Sequence, residues 1–272
     1  MSKGFRYANA PIGWFGTPRD FTGTSDLSVY AVDSVQRYML GTPYMAWDGK
    51  IYRYAKAGAT LDPDMGAKAY ATQNLAYAAA ASAQVAGDKQ VTCTFGAADG
   101  YANSGLVVED ELAGGEIIVF SDTVVTQRRT IVGNTAVAVG GGTGVVYVDV
   151  PWQAAIAVSG SYIEAMGSKF FDVRNVDDQT KCVVGVTCAI ATTTYPYCWL
   201  QTRGKCWVAP QSTVGNSASI RACYWRSDGS LDIRALNGTF HDVYVTDQYA
   251  GYVLQNAQAG TQGAPFFMLM CE

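Results

Sequence analysis

Short runs of apolar and β-branched residues, separated by turns rich in Gly and Asn, constrain the fold of this chain most strongly. Between Gln90 and Val150 the runs are QVTCTF, SGLVVEDE, GEIIVFSD, RRTIVG and GVVYVDV. Each run has the length and composition of a β-strand, and the glycines between them suit tight turns. Closely spaced strands of this kind predict a compact barrel or sandwich. The abundance of Gly (29) and Tyr (17) favours the same mostly β class.

The later part of the chain, from about Ser159, repeats this alternation of runs and turns. Its candidate strands are KCVVGVTCAIA, YCWLQTR, KCWVAP, SIRACYWR, YAGYVLQNA and APFFMLMC. An Asp-Gly pair between alternating runs is a strong short-range signal for a hairpin. Asp48-Gly49 and Asp228-Gly229 therefore predict two β-hairpins.

The segment CWLQTRGKCWVAP, Cys198 to Pro210, places a polar stretch between two Cys-Trp pairs. The strand period of two puts the first tryptophan and the first cysteine on opposite faces. Gly204 permits a reversal of the chain, so we predict that Lys205 to Val208 return as a second strand.

Residues 1 to 38 have the composition of an extended arm, because glycines and prolines interrupt every regular period. The same stretch is rich in large apolar residues, which a disordered tail does not usually hold. Such an arm has no core of its own, so its side chains are expected to be buried on the body of the protein or on another subunit. The candidate partner-binding residues are Phe5, Tyr7, Ile12, Trp14, Phe15 and Phe21.

Charge and hydropathy argue against several classes of partner. The charged fraction is 15%, the hydrophobic fraction is 49% and the formal net charge is −4. No run of Lys and Arg is present to neutralise a phosphate backbone, so no nucleic-acid partner is expected. The longest apolar run, AYAAAASAQVA, is too short and too rich in Ala to cross a bilayer. The first residues lack the layout of a signal peptide, so we expect a soluble protein made in the cytosol, with no membrane partner.

Motifs that could carry chemistry are weak. The glycine-rich stretch from Gly140 to Gly144 precedes a strand rather than a helix, which indicates a hairpin turn instead of a phosphate-binding loop. The carboxylates at Glu109 to Glu111 and at Asp177-Asp178 are neighbours in sequence, whereas a glycosidase needs two that face each other. His241 is the single histidine, and no G-x-S-x-G elbow is present. We therefore predict no catalytic residue and no enzyme activity.

The chain has 7 cysteines, and most lie within apolar, strand-like runs. They are predicted to be small buried residues in a chain that folds under reducing conditions, with disulfides as the alternative. A zinc site is not expected, because the chain has a single histidine and no C-x-x-C pair. No metal or cofactor is predicted.

Aromatic residues are numerous in the later runs, and exposed aromatic rings can bind sugars. The candidates for such a platform are Trp199, Trp207, Tyr224 and Trp225. The same side chains could belong to the core or to a subunit interface, where large aromatics are common. The sequence favours a core or interface position and leaves the platform as an alternative.

Several of these motifs together resemble a family of head proteins of tailed bacteriophages, the capsid decoration or cement proteins often encoded near the major capsid protein. The shared features over roughly residues 40 to 270 are a D-G-x-x-Y-x-Y-x-K-A strand, an Ala-rich passage, strands similar to V-T-V-T and Y-x-x-G-x-L-V-V, a Y-x-W-x-Q-T-x-G hairpin and an L-x-x-A-x-A-G turn. The matching residues are Asp48, Gly49, Tyr52, Tyr54, Lys56, Ala57, Val91, Thr92, Thr94, Tyr101, Gly105, Leu106, Val107, Val108, Tyr197, Trp199, Gln201, Thr202, Gly204, Leu254, Ala257, Ala259 and Gly260. The G-x-G-x-x-Y that follows the LVV strand in the family is reduced here to Gly114-Gly115-Glu116.

This resemblance implies a non-enzymatic virion protein that decorates and cements the capsid lattice. Its expected partners are the major capsid protein and further copies of itself, as a homotrimer on the outer surface of the capsid. We expect a mostly β fold with two small antiparallel barrel or sandwich units and an extended N-terminal arm. The resemblance implies that residues 39–86 and 156–272 form one composite unit and that residues 87–155 form an inserted one. The arm, residues 1–38, would bind the capsid or a sister subunit.

Two other functions stay open at the level of sequence. A head-fibre or turret component would bind a receptor or a glycan through exposed aromatic rings at a distal tip. A glycan hydrolase would need a pair of opposed carboxylates, for which the sequence gives little support. Solvent-exposed Trp or Tyr residues at a distal tip, or binding on a glycan array, would favour the first of these over a cement protein.

Overall fold

The structure of the protein is a computed structural model that describes residues 28–46, 48–70, 73–100, 104–121, 124–210, 214, 221–233, 245–254 and 267–271. The described residues form strands and turns and contain no helix. They divide into two compact units: a first unit between residues 71 and 171, and a second unit of residues 28–70 together with those from 172 onward. The prediction of a mostly β chain with two antiparallel, barrel-like or sandwich-like units is confirmed.

Most strands are short, as expected for runs that are interrupted by turns every few residues. In chain order they are β1 (Pro43–Met45), β2 (Ile51–Lys56), β3 (Gly66–Ala69), β4 (Gln73–Ala79), β5 (Gln90–Phe95), β6 (Glu116–Ser121), β7 (Val124–Asn134), β8 (Gly142–Val148), β9 (Ser161–Met166), β10 (Val173–Arg174), β11 (Val183–Thr187), β12 (Tyr197–Cys206), β13 (Ala222–Arg226), β14 (Leu231–Asp232), β15 (Val245–Val253) and β16 (Phe267–Met270). All pairs between these strands are antiparallel.

The first unit is a curled sheet in the order β4-β9-β6-β7-β8-β5. Its two edge strands approach each other, because Ala80 after β4 forms a β-bridge with Cys93 of β5. Alternate side chains of the strands point inward and are buried. The core of this unit comprises Leu75, Ala80, Val91, Cys93, Phe95, Val107, Leu112, Ile117, Val119, Ile131, Val137, Val146, Val148, Trp152, Ile156, Ile163 and Ala165.

The boundaries of the first unit differ from the inserted segment 87–155 that the resemblance implied. The contacts within this unit extend from residue 71 to residue 171. The difference arises from β4 and β9, because these strands pair with each other and β9 also pairs with β6.

The second unit is a sheet in the order β10-β3-β11-β12-β16-β15-β13-β14, with the β1-β2 hairpin attached to β12 through β2. Its strands come from both sides of the first unit in the sequence. One face of β12, β16, β15 and β13 is packed into a continuous core. That core comprises Val183, Val186, Cys206, Val208, Val214, Cys223, Trp225, Leu231, Ile233, Ala250, Val253, Phe267 and Leu269.

Both predicted Asp-Gly hairpins are confirmed. β1 pairs with β2, and β13 pairs with β14. Gly49 and Gly229 have φ angles of 81° and 86°, the left-handed conformation that favours glycine in such turns. Asp48 and Asp228 each accept a hydrogen bond from the backbone amide two residues later, which fixes the turn locally.

The predicted reversal at Gly204 is wrong. Strand β12 runs through Gly204, and Arg203 is paired with Ile51 on one side and with Met270 on the other. Gly204 has a φ angle of 99°, which β12 accommodates as a local irregularity rather than as a turn. Pairing along both edges of β12 therefore overrides the local turn signal.

The described end of the predicted arm packs on the second unit. Asp33 and Tyr197 are joined by backbone hydrogen bonds of 2.9 and 3.0 Å. The rings of Tyr38, Tyr54 and Trp199 are buried, with centroids 5.1 to 5.4 Å apart. Aromatic pairs at such distances stabilise a core beyond the area that they bury. Residues 33–38 therefore anchor the N-terminal segment to the sheet.

A lysine is buried in the second unit. Lys68 on β3 is 0% exposed, and its Nζ donates hydrogen bonds to the backbone carbonyls of Val176 (2.8 Å), Asp178 (2.9 Å) and Ser227. Burial lowers the pKa of Lys68, and nearby carboxylates oppose that shift. Three acceptors match the three donors of an ammonium group. Lys68 thus holds three segments together that are distant in sequence.

Candidate interaction surface

The motifs that could have carried chemistry serve turns in the structure. Asp110 and Glu111 accept hydrogen bonds from backbone amides at 3.3 and 2.8 Å. Asp178 accepts hydrogen bonds from the amide and the hydroxyl of Thr180. Gly140 and Gly141 form a turn that leads into β8, as the sequence indicated. His241 lies outside the described residues.

The cysteines are free, and most of them are shielded from solvent. Cys93, Cys198, Cys206 and Cys223 are buried, whereas Cys182 is exposed. Burial raises the pKa of the Cys93, Cys198 and Cys223 thiols to about 12. A protonated thiol is a poor nucleophile and a poor metal ligand. Among the residues that the structure describes, no group of three or more His, Cys, Asp or Glu side chains could hold a metal ion.

Thiol labelling is a direct test of this arrangement. We expect iodoacetamide to modify Cys182 in the native protein well before it modifies Cys93, Cys198, Cys206 or Cys223, because only a solvent-accessible thiolate reacts. Intact-mass spectrometry with peptide mapping over time gives the order of modification. The Cys182→Ser variant should lose the fast label and keep the slow ones. Fast modification of a buried cysteine in the folded protein would contradict the structure.

The aromatic residues proposed as a sugar platform do not share one surface. Trp199 and Trp225 are 1% and 0% exposed and belong to the core. Trp207 is 37% exposed, and Tyr224 is half-buried. The core interpretation is confirmed for the two buried tryptophans. The four residues therefore cannot act together as a binding platform.

The outer side of the second unit carries a row of large apolar side chains that are exposed or half-buried. We name it the Met/Tyr face and define it as Tyr224, Tyr249, Tyr252, Met268 and Met270, on β13, β15 and β16. Tyr249 and Tyr252 are each 40% exposed, and Met270 is 42% exposed. Tyr252 lies opposite Met268, and the rings of Tyr224 and Tyr249 are 5.8 Å apart. The face is therefore continuous across three neighbouring strands.

The alternation of β16 explains why this face exists. Phe267 and Leu269 point into the core and are 1% and 0% exposed, which turns Met268 and Met270 outward. Sequence reasoning missed the face because FMLM is apolar on both sides and shows no polar alternation. In β15 the two tyrosines of YAGYV are three residues apart, a spacing that regular alternation assigns to opposite faces of a strand. Both are exposed because the register of β15 against β13 shifts between them.

Two cations border the Met/Tyr face. Arg203 and Lys205 on β12 are exposed and lie opposite Met270 and Met268. Aromatic residues, Met and Arg are enriched in protein interfaces relative to other surfaces. Exposed apolar side chains that are contiguous, rather than scattered singly, are a mark of interaction sites. The composition and continuity of this face thus fit a protein-binding surface.

Comparisons with known proteins give no match: neither a protein-family model, nor a curated protein, nor a solved structure is similar to the chain. Within the described ranges, no helix has the length and apolar character needed to span a membrane. Phe5, Tyr7, Ile12, Trp14, Phe15 and Phe21, the predicted partner-binding residues, all lie outside the described residues.

Proposed function

We propose that the chain is a non-enzymatic virion protein that decorates and cements the capsid lattice of a tailed bacteriophage. The observation that carries this proposal is the Met/Tyr face with its bordering Arg203 and Lys205. The motif resemblance supplies the class of partner, namely the major capsid protein and further copies of the chain. The aromatic residues of the N-terminal segment add a second apolar contact.

A cement protein needs several contacts, each of modest affinity, that bind at the same time. Linking several binding surfaces in one molecule raises the overall affinity far above that of each surface. The chain offers an apolar segment before residue 28 and the Met/Tyr face on a sheet, which fits two separate contacts. Antiparallel strands paired on both edges, such as β12, give the second contact a rigid support.

Binding to capsids tests the proposal. The probe is empty expanded heads made from the major capsid protein of the genome that encodes this chain. We expect the wild-type protein to co-sediment with these heads, and the double substitution Tyr252→Ser with Met270→Ser to weaken binding about tenfold or more, as at an interface centre. Ile190→Ser, at a residue 59% exposed in the same unit, is the matched control. Failure of the wild-type protein to bind would refute the proposed function.

Deletion of residues 1–27 tests the N-terminal segment separately. The truncation leaves Asp33 and Tyr38 in place, so the second unit keeps its packing against Tyr197 and Trp199. We expect the truncated protein to keep its circular dichroism spectrum and to lose attachment to heads. For comparison, light scattering of the full chain should give the mass of a trimer. Undiminished saturation of heads by the truncated protein would contradict a role for the segment.

A further inference from the structure

A pair of stacked tyrosines lies on the outer side of the first unit. The rings of Tyr77 on β4 and Tyr162 on β9 are 4.3 Å apart and almost parallel, with an angle of 7° between them. Phe120 on β6 lies 6.3 Å from Tyr77. Tyr77 is 59% exposed, so the pair presents aromatic surface to solvent. Three aromatic side chains thus lie together on the outer side of this unit.

The backbone at Tyr77 is strained. Its φ angle is 49°, and the register of β4 shifts between Leu75 and Ala78, which marks a β-bulge. A bulky residue in the left-handed region costs free energy that Gly or Asn would largely avoid. An exposed ring recovers little of this cost by burial. Bulges are common beside functional sites, where they redirect a side chain, and here the bulge directs an aromatic ring onto Tyr162.

A shallow depression continues the same face. It has a volume of about 260 Å³ and is lined by Glu116, Ile118, Glu164, Ala165 and Met166. Ile118 and Glu164 lie two residues from Phe120 and Tyr162 on the same strands, so they share the outer side with the rings. The depression therefore offers an apolar floor next to the stacked tyrosines, with carboxylates at its border.

Of the two carboxylates that line the depression, one is in an ion pair and the other can pair with a ligand. Glu116 forms an ion pair of 3.2 Å with Arg128, which lies opposite Ile118 on β7. Glu164 has no ion pair among the residues that the structure describes. Aromatic ring faces and carboxylates both attract cations. The local charge therefore favours a ligand that is amphipathic and positively charged.

We propose that this site binds an amino sugar that carries a free ammonium group. A pyranose ring has an apolar C–H face that can lie on the exposed ring of Tyr77, and hydroxyl groups at its rim that can donate to carboxylates. The ammonium group pairs with Glu164. An open, shallow site suits a unit within a polysaccharide, whose chain continues beyond the depression on either side. The inference does not depend on capsid decoration.

Two oligosaccharides that differ in charge test the proposal. We would titrate the protein with the hexamer of glucosamine and with its fully N-acetylated counterpart at about pH 5.5, where the free amine is protonated. The wild-type protein should bind the glucosamine hexamer about tenfold more tightly, because acetylation removes the charge that Glu164 recognises. Absence of binding to the glucosamine hexamer, or equal binding of both, would overturn the proposal.

Two variants separate the roles of the side chains. Glu164→Gln should reduce the preference for the charged hexamer to about twofold or less, whereas Glu109→Gln, at another exposed carboxylate of the same unit, should leave it intact. Tyr77→Asn relieves the strained φ angle, so its urea midpoint should stay unchanged or rise while binding is lost. A fall in the midpoint together with retained binding would assign Tyr77 to structure and refute its role at the site.

Discussion

Replacement of Lys68 by Met is expected to lower the free energy of unfolding by about 3 to 5 kcal/mol. Methionine has a similar length but no donor, so the carbonyl groups of Val176, Asp178 and Ser227 would lose the donor that they share in the native protein, and that of Ser227 would lose it in a buried position. Desolvated carbonyl groups without a donor cost more than the net value of the hydrogen bonds themselves. The segments that Lys68 joins would also lose their common anchor.

Urea denaturation followed by tryptophan fluorescence and by circular dichroism measures this change. The matched control is Lys205→Met, because Lys205 is exposed and its replacement should shift the unfolding free energy by less than about 0.5 kcal/mol. A change in the midpoint at constant slope reports stability alone. An equal and small effect of both substitutions would show that the buried ammonium group is not needed.

Replacement of Trp199 by Ala is expected to cost about 3 to 5 kcal/mol of unfolding free energy, as is usual for a large buried aromatic residue. Trp199 is 1% exposed, and its ring lies 5.4 Å from Tyr38 and 5.2 Å from Tyr54. The cavity would remove the surface on which Tyr38 packs. We therefore also expect faster amide hydrogen exchange at residues 33–38.

Trp207→Ala is the matched control for this substitution, because it removes the same side chain from the same chain segment at a position 37% exposed. The loss of unfolding free energy should be smaller than that of Trp199→Ala by about 2 kcal/mol or more, because Trp207 buries less apolar area and its removal leaves no deep cavity. Urea midpoints and exchange rates of the two variants can be compared directly. Similar losses in both would mean that the aromatic cluster does not secure the N-terminal segment.

The sequence predicted the fold class because its local signals agree with the final pairing. Asp48-Gly49 and Asp228-Gly229 specify hairpins whose register needs little help from distant contacts. The glycine at position 204 carried a similar signal and was misleading. There, pairing with β2 on one side and β16 on the other keeps the strand continuous. Local propensity thus decided the structure only where tertiary pairing did not compete.

The surfaces could not be predicted to the same degree. In β16 both faces are apolar, so the period of two does not reveal that Met268 and Met270 are exposed. The orientation of Tyr77 is set by a β-bulge in β4, and the sequence contains no residue pattern from which that bulge could be predicted. Lys68 donates to carbonyl groups that are more than a hundred residues distant in sequence, and a single sequence does not show which residues come together over such separations.

The division of the chain sets an order in which its parts can fold during translation. The first unit is complete once residue 171 has been made, whereas the hydrogen bond from Thr202 to Ile51 spans 151 residues and that from Lys68 to Ser227 spans 159. The β1-β2 hairpin can form early, but β3 and the free edge of β2 leave the ribosome long before their partners β10, β11 and β12 exist. Such strands are prone to aggregate, and their closure over a long loop is slow. A chaperone that shields nascent strands would accordingly raise the yield of this protein more than that of a chain with sequential pairing.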